Sequence, residues 1–388
     1  MIGGLVLAAG LSRRMGAFKP LLEVGGTPAL SRAIRCLAGS ADTVAVVTGW
    51  RGDELDGLIA REGALRLHNP DYEKGMFSSV TTGIRRFAEL GAEGVLLLPG
   101  DCAAVPREAV KELLVNAGDG FAVPGYGGKR GHPMWVPARF FPEILAHDGA
   151  DGLKPILNRH GRKVLDMPFP GTVADMDLPE DREALEALVT RPGLRELTKG
   201  RRLFLLRHGA TVLHAGKVIM GRYDAPLSHE GREQMEALGR SLAGQRFETG
   251  CVYTSPLSRA RESAEILSRH LGLECRVRED LQELSLGAWD GLLIEEVRRR
   301  WPREYERRGQ ELMAYRFDEN CESFYDLQYR AGEALRAILA EDPHRDLILV
   351  THAGVLKCLY GLLNGQDIDW AFPRFQPMKG ELTLITGE

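Results

Sequence analysis

Short apolar runs alternate along this chain with amphipathic stretches, and this alternation constrains the fold more than any other feature of the sequence. In the first half the apolar runs are GLVLAAG, TVAVVTG, GVLLLPGD and GFAVPGY, and the amphipathic segment REAVKELLVNAG separates the last two. Short apolar runs that end in Gly- or Asp-containing loops are typical of buried strands, and helices between such strands build βαβ units. The pattern predicts an α/β fold in which helices flank a mostly parallel sheet.

The alternation stops near the middle of the chain and then begins again. The stretch LVTRPGLRELTKGRR combines a Pro-Gly turn with charged residues that show no periodicity, and RLFLLRHG starts a second series. A chain of 388 residues is also longer than one hydrophobic core usually fills. We therefore predict two α/β domains over residues 1–190 and 201–388, each with a mostly parallel sheet flanked by helices, and a linker over 191–200.

Charge and cysteine usage exclude several classes of function. The formal net charge is −4 at pH 7 and the basic residues are mostly dispersed, so nucleic acid is not an expected partner. Six cysteines without a C-x-x-C pair favour reduced thiols over a disulfide framework or a zinc site. No segment approaches the about 18 apolar residues that span a bilayer, and the N-terminus lacks the basic start of a signal peptide. We expect a soluble, cytoplasmic protein with no membrane partner.

The loop after the first apolar run, LVLAAGLSRRMGAFKP, combines glycines with basic residues. Gly10 and Gly16 let the backbone approach a ligand closely, and Arg14 and Lys19 add positive charge near the amides of a helix N-terminus. These properties suit a triphosphate. The loop is neither a Walker A loop nor a G-x-G-x-x-G motif. Its glycines alone would equally fit an ordinary turn with solvated basic residues.

Three aspartates are candidate magnesium ligands, because Mg²⁺ prefers carboxylate oxygens. Asp101 follows the apolar run GVLLLPG, and Asp175 and Asp177 lie late in the first half. Each has a structural alternative: Asp101 would cap the following helix, and Asp177 with Glu180 fits the start signal of a helix. The residue types alone leave both interpretations open.

In its full spacing, the Gly-rich loop resembles the signature of nucleotidyltransferases that attach a nucleotide to the pterin phosphate of the molybdenum cofactor. These belong to a broader family that acts on sugar and alditol phosphates. The resemblance continues to about residue 185, through NPDYEKGMFSSV, LLLPGDCAAV, GHPMWVP and VADMDLPED. It implies a Rossmann-like domain and Mg²⁺-dependent nucleotidyl transfer to a phosphorylated acceptor such as molybdopterin. The Ala-Ala-Gly opening followed by Ser is similar to the cytidylyl branch, which favours CTP.

The same resemblance implies roles for individual residues. Lys19 would stabilise charge on the triphosphate, and Asp101, Asp175 and Asp177 would hold Mg²⁺. The residues implied to contact the nucleotide or substrate are Ala8, Ala9, Gly10, Ser12, Arg14, Gly16, Asn69, Ser78 and Ser79. The Asp-x-Pro motif of the family is replaced by Asp101-Cys102-Ala103, which leaves the shape of that loop, and with it the acceptor, open.

The second half opens on a strand-like run that ends in Arg207 and His208. A neutral histidine accepts a phosphoryl group when it is held in line with phosphorus and cations meet the oxygens, although a lone histidine is more often a satisfied polar residue. Further along, Arg259 starts a predicted helix, Glu283 lies in LQELSLG, and another apolar run ends on His352. Together these side chains supply a nucleophile, charge stabilisation and a general acid without a metal.

In order and spacing these residues resemble the histidine phosphatase superfamily, which includes cofactor-dependent phosphoglycerate mutases, broad-specificity phosphatases and α-ribazole phosphatases. The resemblance covers about 201–388 and implies a domain that needs no cofactor. It makes His208 the residue that becomes phosphohistidine and Glu283 the proton donor and then the base for water. Arg207, Arg259 and His352 would bind the phosphoryl oxygens of a phosphomonoester.

Three further positions near the histidine motif bear on substrate preference, and at one of them this chain differs from the family. Thr211 and Arg222 are implied to contact the substrate, although Arg222 fits a solvated loop residue equally well. The family commonly has Glu or Gln where this chain has Ala210, so a polar group close to the phosphate is missing. We expect this difference to change substrate preference and to leave activity in place.

The two resemblances together predict a bifunctional enzyme, a nucleotidyltransferase fused to a phosphatase. Three alternatives stay open. The chain could serve cobalamin nucleotide-loop assembly, as a cobinamide-phosphate guanylyltransferase joined to an α-ribazole phosphatase. One domain could be a non-catalytic regulatory module, or the second domain could be a mutase. Nucleotide preference tests the first alternative, and phosphate on His208 tests the second.

Overall fold

The structure, a computed structural model, describes residues 1–11, 15–213, 217–318 and 320–387. The chain forms two compact units, Met1–Arg191 and Pro192–Glu388. The second unit begins before the predicted start at residue 201, so it includes most of the stretch predicted as a linker. Each unit is built on a mostly parallel sheet flanked by helices, which confirms the predicted fold class.

Within the described residues, the main sheet of the first unit has eight strands. The strands of this unit are β1 (Ile2–Ala8), β2 (Glu23–Val24), β3 (Thr27–Pro28), β4 (Thr43–Thr48), β5 (Leu65–His68), β6 (Gly94–Pro99), β7 (Ala122–Tyr126), β8 (Lys129–Arg130), β9 (Met134–Pro137) and β10 (Lys163–Asp166). The sheet order is β10-β7-β9-β6-β1-β4-β5, with β8 paired to β7, and β2 and β3 form a separate hairpin. β8 and β9 run antiparallel to their neighbours, and the remaining pairs of the main sheet are parallel.

Helices cover the sheet of the first unit and bury their apolar faces on it. They are α1 (Ala29–Ala38), α2 (Asp56–Arg61), α3 (Met76–Glu89), α4 (Arg107–Asn116), α5 (Phe141–Ala146), α6 (Lys154–His160) and α7 (Pro179–Val189). Ile84 and Phe87 on one face of α3 belong to the same buried cluster as Leu5 of β1. The apolar spacing that predicts helices and strands thus also predicts which faces meet in the core.

The strand order changes direction at β1. The chain adds β4 and β5 on one side of β1, and β6 then pairs with β1 on the other side. The Gly100 amide donates to the Leu7 carbonyl oxygen at 2.9 Å and holds the ends of β6 and β1 together. In parallel α/β sheets, ligands bind at the carboxyl ends of the strands where the order reverses.

The second unit is built on a five-stranded sheet within its described residues. The strands are β11 (Arg202–Arg207), β12 (Cys251–Thr254), β13 (Glu274–Val277), β14 (Asp346–Thr351) and β15 (Leu382–Thr386). The order is β13-β12-β14-β11-β15, and only β15 is antiparallel to its neighbour among these pairs. The parallel register pairs Arg207 with Thr351, so His208 and His352 follow the ends of adjacent strands.

The strands of the second unit are separated in sequence by helices. The helices of this unit are α8 (Leu194–Leu197), α9 (His229–Leu242), α10 (Ser258–Leu271), α11 (Ile294–Arg300), α12 (Pro302–Gln310), α13 (Phe324–Glu341), α14 (Ala353–Leu363) and α15 (Ile368–Arg374). Across the described ranges of both units, no helix combines the length and the apolar character needed to cross a membrane.

The start of the second unit packs on its own helices. α8 buries Leu194, which is 2% exposed, whereas Leu197 is 39% exposed. The Arg336 guanidinium of α13 donates to the Pro192 carbonyl oxygen at 2.6 Å. These contacts explain why the unit begins before β11.

Replacing Leu194 by alanine in a fragment of residues 192–388 is expected to lower its free energy of unfolding by about 2 to 4 kcal/mol, because a buried side chain leaves a cavity. Leu197→Ala is the matched control and is expected to change it by less than about 0.5 kcal/mol. Urea unfolding followed by circular dichroism measures both changes. Equal effects of the two substitutions, or a fragment that does not unfold cooperatively, would contradict the position of this segment in the second unit.

Candidate functional sites

A cavity of about 270 Å³ opens at the carboxyl edge of the first sheet, between the ends of β1 and β6. Ala9 and Gly10 follow β1, and Asp101 follows β6, so the parallel pairing of the two strands brings these residues together. Five of the residues predicted from the sequence line the cavity: Ala9, Gly10, Lys19, Ser79 and Asp101. The sequence analysis gave no role to other residues of its wall: Leu7, Leu11, Tyr72, Glu73, Gly75, Met76 and Pro99.

The Lys19 ammonium connects two of the predicted metal ligands. Its Nζ atom lies 2.8 Å from Asp177 Oδ1 and 3.1 Å from Asp101 Oδ2. Burial opposes the charged form of Lys19, but the hydrogen bond to Asp177 and the charge of Asp101 hold its pKa above the ordinary value. Lys19 therefore stays protonated and partly neutralises the carboxylates of this site.

Asp175 shows that negative charge remains in excess near Lys19. Burial, followed by the charges of Asp101 and Asp177, raises the pKa of the Asp175 carboxyl above its usual value. The carboxylates are thus close enough to repel one another. In the described part of the chain, however, no three His, Cys, Asp or Glu side chains surround a common point as metal ligands would.

Asn69 anchors the start of α3 beside β5. Its side chain is buried, and its Nδ2 donates to Ser78 Oγ at 2.9 Å and to Ser79 Oγ at 3.0 Å. Its Oδ1 accepts from the Asp71 amide at 2.9 Å. Asn69 and Ser78 are therefore engaged with each other, and Ser79 is the one of the three that lines the cavity.

The remaining residues predicted for this site fall into three groups. Ala8 is buried at the end of β1 and does not line the cavity. Gly16 has a φ of 65°, in the left-handed region that glycine adopts without strain. Ser12 and Arg14 lie outside the described residues.

His132, in the segment GHP, does not line the cavity but is close enough to Asp101 for the charge of that residue to act on it, and the sequence analysis gave it no role. Burial lowers the pKa of its imidazole, although the charge of Asp101 acts in the opposite direction. Its buried Nδ1 atom has no hydrogen-bond partner among the described residues. A neutral imidazole thus lies near the predicted ligand Asp101, a proximity that sequence separation hides.

In the second unit, His208 follows β11 and is 5% exposed. Its Nδ1 atom lies 2.8 Å from the Gly209 carbonyl oxygen, which only accepts, so Nδ1 carries the proton and Nε2 has a free lone pair. Burial and the charges of Arg259, Arg207 and Lys379 hold the pKa of His208 well below its ordinary value. His208 is therefore neutral at physiological pH, the state that a nucleophile needs.

His352 lies beside His208 at the end of the adjacent strand, with the two ring centroids 5.2 Å apart. Its Nε2 atom is 2.8 Å from Ser255 Oγ, which already accepts from the Leu257 amide. This arrangement favours donation from Ser255 to Nε2 and places the imidazole proton on Nδ1. That Nδ1 atom is buried without a partner among the described residues, so it can donate to an oxygen of a bound anion.

Two arginines, the buried Arg259 and the half-buried Arg207, lie close to this histidine pair. Arg207 Nη1 donates to the Pro377 carbonyl oxygen at 2.9 Å, and Arg259 donates to the carbonyl oxygens of Tyr223 and Gly221 at 2.7 and 2.9 Å. Burial lowers the pKa of both guanidinium groups, which nevertheless stay charged because arginine ionises far above neutral pH. Arg207 Nε has no partner in the described structure. The pocket thus holds positive charge that is suited to an anion.

Glu283 is held by two backbone amides and by a pair of arginines. Its carboxylate accepts from the amides at 2.9 and 3.1 Å. Arg222 and Arg330 donate to its backbone carbonyl oxygen at 3.2 and 3.3 Å, and both also pair with Glu322. Arg222 therefore also holds the backbone of Glu283 in place, a contact that the sequence analysis did not predict.

The loop after His208 is fixed mainly through its backbone. Thr211 Oγ1 donates to the Leu213 carbonyl oxygen at 2.9 Å, so this hydroxyl is used within its own loop. The Ala210 amide donates to Gln234 Oε1 of α9 at 3.0 Å. Ser263 Oγ accepts from the Gly209 amide and donates to the Arg259 carbonyl oxygen, which links the loop to α10.

These two sites define two classes of protein within one chain. The first unit has a strand-end cavity with a lysine and carboxylates, as in proteins that bind nucleotides at the edge of an α/β sheet. The second has a buried neutral histidine facing cations, as in enzymes that transfer a phosphoryl group through histidine.

Comparison with known proteins identifies the families. Residues 4–164 match the MobA-like NTP transferase domain, and residues 203–388 match the histidine phosphatase superfamily (branch 1). The chain therefore belongs to the MobA-like NTP transferase family through its first unit and to the histidine phosphatase superfamily through its second. Both resemblances drawn from the sequence are confirmed.

Individual relatives match one unit each. The chain is 25% identical over 178 residues to the molybdenum cofactor cytidylyltransferase of Escherichia coli strain K12, which covers 46% of this chain and 91% of that protein. It is 30% identical over 190 residues to the purine catabolism protein PucB of Bacillus subtilis strain 168, and this match covers 46% of this chain and 92% of that protein. It is 31% identical over 159 residues to the phosphoglycerate mutase-like protein 4 of Arabidopsis thaliana, and this match covers 41% of this chain and 69% of that protein. An NTP transferase domain is thus fused to a histidine phosphatase domain in one enzyme.

Proposed function

We propose that the first unit transfers a nucleotidyl group from a nucleoside triphosphate, with CTP favoured, to a phosphorylated acceptor such as molybdopterin, and that the second unit hydrolyses phosphomonoesters through a phosphohistidine at His208. The observation that carries the second activity is the bond from His208 Nδ1 to the Gly209 carbonyl oxygen, because it leaves Nε2 free to attack. We also place the enzyme in the cytoplasm, a proposal supported by six cysteines that are all free thiols.

The hydrolysis would proceed in two steps. In the first, His208 Nε2 attacks phosphorus, the N–P bond forms, the ester P–O bond breaks, and protonated Glu283 gives its proton to the leaving alkoxide. In the second, Glu283 takes a proton from water, the water oxygen attacks phosphorus, and the N–P bond breaks to release phosphate. Arg207, Arg259 and the Nδ1 proton of His352 would stabilise the charge on the phosphoryl oxygens in both steps.

The oxygen-donor chemistry of the carboxylates in the first unit supports a divalent cation, even though the described side chains do not surround a common point. Their mutual repulsion raises the pKa of Asp175, and a cation with two positive charges would relieve it. We propose that Asp101, Asp175 and Asp177 hold Mg²⁺, which when bound supplies charge neutralisation for the triphosphate and the pyrophosphate leaving group. Lys19 would turn from Asp101 and Asp177 towards the triphosphate, whose backbone contacts would come from Ala9 and Gly10 at the cavity wall.

Two observations support CTP as the nucleotide and molybdopterin as the acceptor. The first is the Ala8-Ala9-Gly10 opening of the loop, whose last two residues line the cavity. The second is the similarity to a relative named molybdenum cofactor cytidylyltransferase, which extends over nearly all of that protein.

The intact chain is expected to release pyrophosphate from CTP and molybdopterin in the presence of Mg²⁺, with kcat/KM for CTP at least about tenfold above that for GTP, since a site built for one base leaves its polar groups unpaired with another. Coupled pyrophosphate detection measures both nucleotides, and a reaction without acceptor is the control. Preference for GTP together with turnover of cobinamide phosphate would contradict the proposed nucleotide and acceptor. Absence of pyrophosphate release with every nucleoside triphosphate would contradict nucleotidyl transfer itself.

A further inference from the structure

The turn before β15 is fastened to the strand that carries the nucleophile. The Gly380 amide donates to the carbonyl oxygens of Arg207 and His208 at 3.0 and 3.3 Å. At the other end of the turn, Arg207 Nη1 donates to the Pro377 carbonyl oxygen at 2.9 Å. Lys379 lies between these two attachments, so its backbone is held beside His208.

The turn itself is closed by its own hydrogen bonds. The Glu381 amide donates to the Met378 carbonyl oxygen at 3.2 Å, and the Met378 amide donates to Glu381 Oε2 at 3.0 Å. Met378 is 67% exposed, whereas Lys379 is half-buried. Met378 thus faces solvent, whereas Lys379 is half-buried and close enough to Arg207 and Arg259 for their charges to act on it.

Lys379 adds a third positive charge to this pocket. Burial and the charge of Arg207 lower the pKa of Lys379, with a smaller contribution from Arg259, and Glu230 on α9 opposes them. The charge of Lys379 also lowers the pKa of His208. Among the described residues, no carboxylate forms an ion pair with the Lys379 ammonium. Glu230 therefore acts on the charge of Lys379 from a distance and not through an ion pair.

Three cations, Arg207, Arg259 and Lys379, lie close enough to the phosphoryl pocket for their charges to act on His208. Carboxylates oppose the charges of both arginines, Glu283 in each case and also Asp224 and Asp290 for Arg259, and both guanidinium groups donate to backbone carbonyl oxygens. The carboxylate that opposes Lys379 is the exposed Glu230, which forms no ion pair with it among the described residues. Lys379 is therefore the cation that is least engaged by the protein and is available to a second anion, beside the exposed end of the turn.

We propose that Lys379 forms an anion subsite next to the phosphoryl pocket, so that the second unit acts on phosphomonoesters carrying another negative group close to the scissile phosphate. This inference rests on the phosphatase activity proposed above and names its substrate class. The substrates of this class share a second anionic group, which is either a carboxylate or a second phosphate. Glu230, in the first turn of α9, opposes the other charges that act on Lys379 and would disfavour a second anion that approaches it.

Three small phosphomonoesters test the subsite in the intact chain. They are 2-hydroxyethyl phosphate, with a neutral remainder, phosphoglycolate, with a carboxylate, and ethane-1,2-diol bisphosphate, with a second phosphate. We expect kcat/KM for at least one anionic compound to exceed that for the neutral one by about tenfold, the effect of one charge-assisted hydrogen bond in a partly buried site. The compound with the larger preference identifies the second anion as a carboxylate or a phosphate.

Substitutions at Lys379 separate this role from a structural one. Lys379→Gln is expected to remove the preference, measured as the ratio of kcat/KM for an anionic compound to that for 2-hydroxyethyl phosphate, whereas Lys379→Arg is expected to keep the ratio because it keeps the charge. Lys199→Gln, at an exposed lysine of the same unit, is the matched control and is expected to change none of the three values. A Lys379→Gln variant that loses activity equally on all three compounds would overturn the subsite.

A binding measurement keeps this test independent of turnover. In a His208→Ala background the compounds are not consumed, and calorimetry gives their affinities with and without Lys379→Gln. Selective loss of affinity for an anionic compound supports the subsite, and equal affinities for all three compounds overturn it. If the parent chain hydrolyses none of the compounds, the proposed phosphatase activity fails, and the affinities still decide for or against the subsite.

Discussion

Replacing His208 by alanine is expected to lower kcat for phosphomonoester hydrolysis by about 10⁴-fold or more, because the nucleophile is lost and only binding and charge stabilisation remain. Nucleotidyl transfer is expected to stay within about twofold of the parent, since that chemistry belongs to the other unit. Hydrolysis of p-nitrophenyl phosphate measures the first activity. Incubation with labelled phosphomonoester, followed by detection of acid-labile phosphate on the protein, measures the phosphohistidine directly.

His229→Ala is the matched control for this experiment. His229 belongs to the same unit, and its side chain is 87% exposed at the start of α9. The control is expected to retain both hydrolysis and the label. If His208→Ala keeps acid-labile phosphate, another residue is the acceptor. If the parent chain shows neither label nor hydrolysis, the second unit is a non-catalytic module.

Replacing Asp101 by asparagine is expected to lower nucleotidyl transfer by about 10³-fold, the size of effect seen when one preorganised charge of a transfer site is removed. Asparagine keeps the shape of the side chain but removes the negative charge that Lys19 and a divalent cation would share. Pyrophosphate release measures the activity, and electron paramagnetic resonance with Mn²⁺ measures metal affinity separately. Phosphomonoester hydrolysis is expected to be unchanged.

Asp119→Asn is the matched control, because Asp119 is an exposed aspartate of the same unit. It is expected to retain both transfer activity and Mn²⁺ affinity. A parent-like Asp101→Asn variant would contradict the metal role of this carboxylate. Loss of activity with unchanged Mn²⁺ affinity would restrict Asp101 to positioning Lys19.

The sequence was informative wherever function lies at the end of a strand. His208, His352 and Asp101 each follow an apolar run, and a parallel sheet necessarily gathers the carboxyl ends of its strands at one edge. Arg259 at the start of α10 follows the same logic. For these residues, the periodicity of the apolar runs was sufficient to predict their place at the ends of strands. The parallel pairing of the strands then brings those ends together at one edge of the sheet.

Other residues of the sites depend on packing that no local pattern encodes. Arg330 and Glu322 meet Arg222 only because α13 passes behind the loop that holds Glu283. The ion pairs of Lys19 join residues more than 80 positions apart in sequence. Side chains of this kind carry no periodic signal, so their partners follow only from the folded structure.

The packing of residues 192–200 on the second unit could not be predicted from composition, for a related reason. The stretch at 191–200 combines a Pro-Gly turn with charged residues, a composition that indicates a linker. Leu194 is a single apolar residue in this stretch, too little to produce a helical pattern, yet its burial is enough to fix α8 on the second unit. The average composition of these ten residues therefore did not reveal that the single side chain of Leu194 attaches the segment to the second unit.

The position of Lys19 has a consequence for the unit before it meets any ligand. Its ammonium lies between Asp101 and Asp177, in the region where those carboxylates would otherwise face each other. The chain thus brings its own counter-ion, so this edge of the sheet can fold in the absence of dissolved cations. Under the proposed function, nucleotide binding would be an exchange of ionic partners, in which Lys19 leaves its carboxylates and pairs with the incoming phosphates.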